Sequence, residues 1–111
     1  MALTITSQIE GGIAQIFLAG ELDAGTAGQF KHEVEVMAAQ EPSQLMLRME
    51  ELTFMASAGL RVLVFAKQKM GSNVEICVVG AHDAVLETIT MTGFHYSVTL
   101  LDTFESAVAA D

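Results

Sequence analysis

The sequence predicts an α/β fold, a mixed β-sheet with helices packed mainly on one face, in the order ββαβαβαβα. Three observations carry that expectation. Leu3–Ile9 alternates apolar and polar side chains, the period of a half-buried strand, and Glu10-Gly11-Gly12 separates it from a second strand-like run at Ile13–Ala19. Helical spacings then alternate with short apolar runs. Val74–Val79 is almost wholly apolar, as expected of a strand covered on both faces.

After the opening hairpin, Gly20-Glu21-Leu22-Asp23 is expected to leave the sheet, with Asp23 placed to cap the first helix. Phe30, Val34 and Met37 recur at intervals of four and three, giving that helix one buried stripe. Gly25 and Gly28 weaken its first turn. Pro42-Ser43 ends it, Gln44–Met49 reads as a third strand, and Glu50-Glu51-Leu52-Thr53 is expected to carry the chain onward.

It arrives at Phe54-Met55-Ala56-Ser57-Ala58-Gly59-Leu60, where small residues surround one hydroxyl and a dense apolar run follows. This stretch reads as a loop tip feeding a helix, with Ser57 at or near the N-cap. The helix should run to Met70 and stop at Gly71. After the Val74–Val79 strand, Asp83 should cap a short helix carrying Val85, Leu86 and Ile89, which Gly93 terminates. Tyr96–Leu101 reads as a last strand and Thr103–Ala110 as a closing helix. No repeat, linker or low-complexity segment appears, so residues 1–111 read as one domain with one core.

Fourteen acidic residues face five basic ones, for a formal charge of −9. Phosphates would be repelled by such a surface, which argues against nucleic acid and anionic lipid and for a protein or small-molecule partner. The amino terminus shows no basic region followed by a long apolar core, and no apolar run is long enough to span a bilayer. Cys77, the single cysteine, lies in an apolar run and is expected to be a buried thiol. These features fit a cytoplasmic protein.

Motifs for chemistry are absent. The glycine-rich Gly20–Gly28 stretch lacks the lysine that would hold phosphates. Ala56-Ser57-Ala58-Gly59 half-resembles a hydrolase elbow, but that turn needs glycine where this chain has Met55. His32, His82 and His95 lie on separate elements without the paired spacing of metal ligands. Glu50-Glu51 and Glu33/Glu35 point different ways and read as solvated faces. No catalytic, cofactor-binding or metal-binding residue is expected, and no enzyme activity. Met37, Met46, Met49 and Met70 fall at core or half-buried positions. Met55 either contacts a partner or packs beneath the tip.

Three motifs together resemble the STAS domains of the anti-sigma factor antagonists. Gly20-Glu21-Leu22-Asp23 is similar to that family's Gly-Glu/Asp-Leu/Ile-Asp signature. Leu52–Leu60 resembles its phosphorylation loop, and Met91-Thr92-Gly93-Phe94 resembles the ending of its third helix. The resemblance covers nearly the full chain. Two positions depart from the pattern: Ala56 stands where the loop usually carries aspartate, and Arg48 where the third strand usually ends in aspartate or asparagine.

The resemblance implies a protein-binding switch. An anti-sigma factor that is also a serine kinase would modify Ser57, and a PP2C-type phosphatase would reverse the modification. The unmodified form would bind the anti-sigma factor and free the sigma factor. It further implies that Glu21, Asp23, Met55, Ala56, Ser57, Ala58, Gly59 and Arg61 form the partner surface, with Arg61 one helical turn from Ser57. Asp23 and Ser57 each have a simpler reading as helix caps. The alternative function is a constitutive STAS adaptor, such as a soluble subunit of a lipid-transport complex, with no phosphorylation.

Overall fold

The alternating amino-terminal pattern folds as a hairpin, β1 (Leu3–Glu10) pairing antiparallel with β2 (Ile13–Leu22). Gly11 and Gly12 make the connection with φ of 60° and 81°, values a side chain would resist. Then follow α1 (Ala27–Ala38), β3 (Gln44–Met55), α2 (Ser57–Met70), β4 (Glu75–Val79), α3 (Asp83–Met91), a 3₁₀ turn at Phe94–Tyr96, and β5 (Thr99–Leu101). The computed structural model describes residues 2–102. The closing helix expected over Thr103–Ala110 lies outside the described residues.

The sheet order is β1-β2-β3-β4-β5, with β2 to β5 mutually parallel. Ala14, Ile16 and Leu18 of β2, Leu45, Leu47 and Met49 of β3, and Ile76 and Val78 of β4 point to one side. There they meet the apolar stripes of the helices: Phe30, Val34 and Met37 of α1, Val62, Leu63 and Ala66 of α2, and Val85 and Ile89 of α3. All three helices therefore cover one face. On the other face Met46, Cys77 and Val79 form a small second cluster with Ile13 and Leu101. Residues Ile76–Val79 are buried on both sides, as their apolar run requires, and Cys77 is a buried thiol that accepts from Gln44 Nε2.

Two strands run further than the sequence pattern indicates. β2 continues through Leu22 rather than leaving the sheet at Gly20, and β3 continues through Glu50–Thr53 to Met55 rather than ending at Met49. The pairing shows why. Between Phe17/Arg48 and Ala19/Glu51, and again between Gly20/Leu52 and Glu21/Phe54, β3 inserts one extra residue. Core positions on β3 consequently move from every second residue (Leu45, Leu47, Met49) to every third (Met49, Leu52, Met55). Two charged residues between buried ones imitate a loop.

Tyr96 also departs from expectation. Gly93 (φ 80°) ends α3 in the left-handed region, and a 3₁₀ turn takes Phe94–Tyr96, so β5 begins only at Thr99. Tyr96 is left 86% exposed.

Arg48 lies on the face without helices. Its guanidinium donates to both Glu50 carboxylate oxygens and to Gln15 Oε1 (2.9 Å), and it stacks over the Phe17 ring at 5.0 Å. Burial pushes the Glu50 carboxyl up, but hydrogen bonds from Arg48 and the backbone, with the charges of Arg48 and His82, hold it below its ordinary value near 4.5. A lowered folded-state value means the contribution is complete above the ordinary carboxylate range and drains away as pH falls through the folded value. Glu50→Gln should therefore melt below wild type at pH 7, with the gap closing below about pH 4.5, in urea titrations across that range.

Candidate functional site

Two of the three motifs meet at the carboxyl ends of β2 and β3, and α3, which leads into the third, is tied to them. Met55 pairs with Leu22 across these strands, and the Ala56 N–H donates to the Leu22 carbonyl at 2.9 Å. Thr88 Oγ1 of α3 donates to the Met55 carbonyl at 3.2 Å. The end of β2, the β3–α2 junction and α3 are thus pinned together beneath one tip.

Ala56 occupies the N-cap of α2 in extended geometry (φ −89°, ψ 173°), and its carbonyl accepts the N–H groups of Gly59 and Leu60. Ser57 is the first helical residue, exposed, and does not act as the cap. Among the described residues its hydroxyl has no hydrogen-bond partner. The first backbone N–H groups of a helix lack intrahelical acceptors and carry the positive end of its dipole. The first turn of α2 contains no acidic side chain to neutralise that field.

The residues around Ser57 divide into two layers. Ala56 is half-buried and Arg61 is exposed one turn along, while Glu21 and Asp23 are half-buried at the adjoining end of β2. Met55 is only 2% exposed, so it packs beneath the tip rather than presenting itself as a contact. Ala58 and Gly59 are buried as well. A Cβ built on Gly59 would lie 2.7 Å from both Cγ and Cδ2 of Leu22 and 3.0 Å from Met55 Cγ. Leu22 itself is fully buried. Glycine at 59 lets α2 sit directly on Leu22, and that close seat holds Ser57 outward.

Asp23 does not cap α1, whose N-cap is Thr26 without a side-chain capping bond; it closes the turn before the helix. Its Oδ1 accepts the N–H groups of Gly25 (3.0 Å) and Thr26 (3.1 Å), and its own N–H donates to Thr26 Oγ1 (2.9 Å). This is the reciprocal arrangement of a capping box, placed on a turn that leads into α1. Thr26 Oγ1 also donates to the Glu21 carbonyl at 2.9 Å, fixing the exit of β2. Asp23→Ala should lower stability by about 1 kcal/mol. Asp23→Asn, which keeps the acceptor, should match wild type in the same urea melt.

Gly20 opens this motif with φ of 110°, and a Cβ there would run into the Ala2 carbonyl oxygen. Its place in the motif is structural. Thr88 and Lys31 were not singled out from the sequence. Thr88 acts through one hydrogen bond to a residue 33 positions away, which no local pattern reveals. Lys31 belongs to a groove between α1 and α2 beside Ala58, and uneven placement of the few cations was its signal. No group of His, Cys, Asp or Glu among the described residues could hold a metal ion. No helix of the described residues is long and apolar enough to cross a membrane.

The family model for the STAS domain matches residues 4–107. The anti-sigma-F factor antagonist RsfB of Mycobacterium tuberculosis is 25% identical over 107 residues, 96% of this chain and 88% of the relative. The anti-sigma-B factor antagonist of Listeria monocytogenes is 35% identical over 79 residues, 70% of this chain and 69% of the relative. The crystal structure of an anti-sigma factor antagonist from Mycobacterium paratuberculosis matches with a TM-score of 0.91 at 25% identity, covering 98% of this chain and 93% of the other.

Proposed function

The chain belongs to the STAS domain family, and from that premise we propose that it is an anti-sigma factor antagonist switched by phosphorylation of Ser57. Unmodified, it binds an anti-sigma factor that is also a serine kinase; phosphorylated, it is released, and a PP2C-type phosphatase returns it. The observation that carries this reading is the exposed, unbonded Ser57 hydroxyl on a buried and pinned base. The names of the two bacterial relatives support the antagonist role.

The physics of the switch is local. A phosphoryl group adds roughly −1.5 to −2 charge and three acceptor oxygens. At a helix N-terminus the dipole favours an anion by about 0.3–1 kcal/mol, so the fold tolerates it. A dianion buried unpaired against a partner costs several kcal/mol, which is enough to break docking. Glu21, Asp23, Ala56, Ser57 and Arg61 form the contact surface in this reading. Met55, Ala58 and Gly59 give it shape from beneath.

The test is binding of the anti-sigma factor encoded in the same genome by wild type, Ser57→Ala and Ser57→Asp. Ser57→Ala should bind constitutively and Ser57→Asp should bind weakly. Ala56, standing where the family carries aspartate, favours a second reading as a constitutive adaptor subunit of another complex. Equal binding by the two variants would support that one.

A further inference from the structure

From the distribution of charge we infer that the groove between α1 and α2 is a docking site for an acidic, partly apolar helical segment of a protein partner. This deepens the function proposed above by naming what the partner presents. The chain has five basic residues against fourteen acidic ones, yet four of the five, Lys31, Arg61, Lys67 and Lys69, lie on α1 and α2. Helix α2 carries three of them and no carboxylate. Two of the four, Lys31 and Arg61, line the groove with no carboxylate among the described lining residues, so on an otherwise acidic protein it attracts carboxylates.

The groove holds about 300 Å³, with Lys31 and Arg61 as its charged rim and Phe65 as its apolar wall. Lys31 Nζ lies 4.9 Å from the centre of the Phe65 ring, which anchors the cation at the rim. Val62 adds to the apolar wall, and Ala27, Gly28 and Ala58 keep the rest of the lining small. Gly28 is exposed in the first turn of α1, and a Cβ there would meet nothing within 4 Å. Nothing inside the chain requires glycine at this position, although glycine is a poor helix former. The open space it leaves belongs to whatever enters the groove. Carboxylates on successive turns of the incoming helix pair with Lys31 and Arg61, and an apolar side chain between them rests on Phe65. Arg61 is shared between this groove and the first turn of α2, so a phosphate on Ser57 would compete with the partner for it.

Two arms test this on the full chain. The first is an NMR titration with a synthetic amphipathic helix carrying Glu at i and i+4 with Leu between, alongside its Glu-to-Lys counterpart. Amide shifts should centre on Gly28, Lys31, Arg61 and Phe65 with the acidic peptide only. The double variant Lys31→Glu/Arg61→Glu should weaken binding at least about tenfold. Lys69→Glu, on α2 but outside the groove, should change it less than about twofold. Gly28→Leu should raise the melting temperature and still lose affinity, a pairing that a purely structural role does not give. Shifts elsewhere, equal response to the basic peptide, or an equal effect of Lys69→Glu would overturn the inference. So would tight binding to phosphatidylglycerol vesicles that the acidic peptide fails to displace. The second arm repeats the variants against the anti-sigma factor of the same genome, with Ser57 unmodified. Wild-type binding undiminished in Lys31→Glu/Arg61→Glu would sink the groove and remove Arg61 from the contact surface, while leaving the Ser57 switch standing. No binding by wild type, with the peptide result intact, would do the reverse.

Discussion

A phosphate on Ser57 is expected to cost this protein its partner and leave its melting temperature where it was. The two halves rest on different features. Ser57 is exposed at the first position of α2, at the positive end of the helix dipole, with no acidic neighbour in the first turn. An anion is welcome there, by about 0.3–1 kcal/mol. The partner meets the same anion without water, and a penalty of several kcal/mol converts to at least about a hundredfold in affinity. Phosphoserine installed at position 57 should therefore reduce anti-sigma factor binding about a hundredfold or more in calorimetry. The melting temperature should be equal to that of wild type or slightly above it. A drop of many degrees would mean that the phosphate acts by unfolding the tip, contrary to the local mechanism.

Leu22→Ala should produce the largest loss of stability, about 2–5 kcal/mol, because a fully buried leucine is replaced by a void. The loss has a particular shape. Leu22 is the floor under Gly59, and its carbonyl holds the Ala56 N–H. Gly59→Ala alone should also destabilise, by about 1–3 kcal/mol, since its methyl would collide with Leu22. In the double variant the added methyl enters the space the leucine vacated. The two changes should then sum to less than their separate effects, a coupling readable in a urea-melt double-mutant cycle. Simple additivity would mean that Gly59 and Leu22 do not share the contact described.

Most of the architecture follows from local pattern. The opening hairpin, the stripe of Phe30, Val34 and Met37, the stop at Gly71 and the doubly covered β4 all obey periods or turn chemistry visible in the chain. What the pattern hides lies where β3 departs from period two. Its bulges place Met49, Leu52 and Met55 in the core at intervals of three, and the intervening Glu50 and Glu51 look like the start of a loop. That same extension explains Met55. As the last residue of a strand rather than part of a loop tip, its side chain turns inward. The cap at Ala56 was equally invisible, since its side chain makes no capping bond and only backbone geometry marks it.

The site was legible by resemblance more than by chemistry. Ser57 carries no neighbouring base or charged pair to advertise it, only its surroundings of small residues. Those small residues have now a physical role. Gly59 brings α2 down onto Leu22, and Ala58 packs beside it, so the hydroxyl is raised on a close-packed base. Asp23, expected to cap α1, instead closes the turn that leads into it.

The central claim, that Ser57 Oγ is the group a partner kinase modifies, has one direct measurement. The purified chain is incubated with ATP and the anti-sigma factor of the same genome, and the phosphate is mapped by mass spectrometry while complex formation is followed. The account predicts one phosphate, on Ser57, appearing as the complex dissociates. A phosphate confined to another hydroxyl, or a complex that persists with Ser57 unmodified under conditions where the kinase is active, would contradict it.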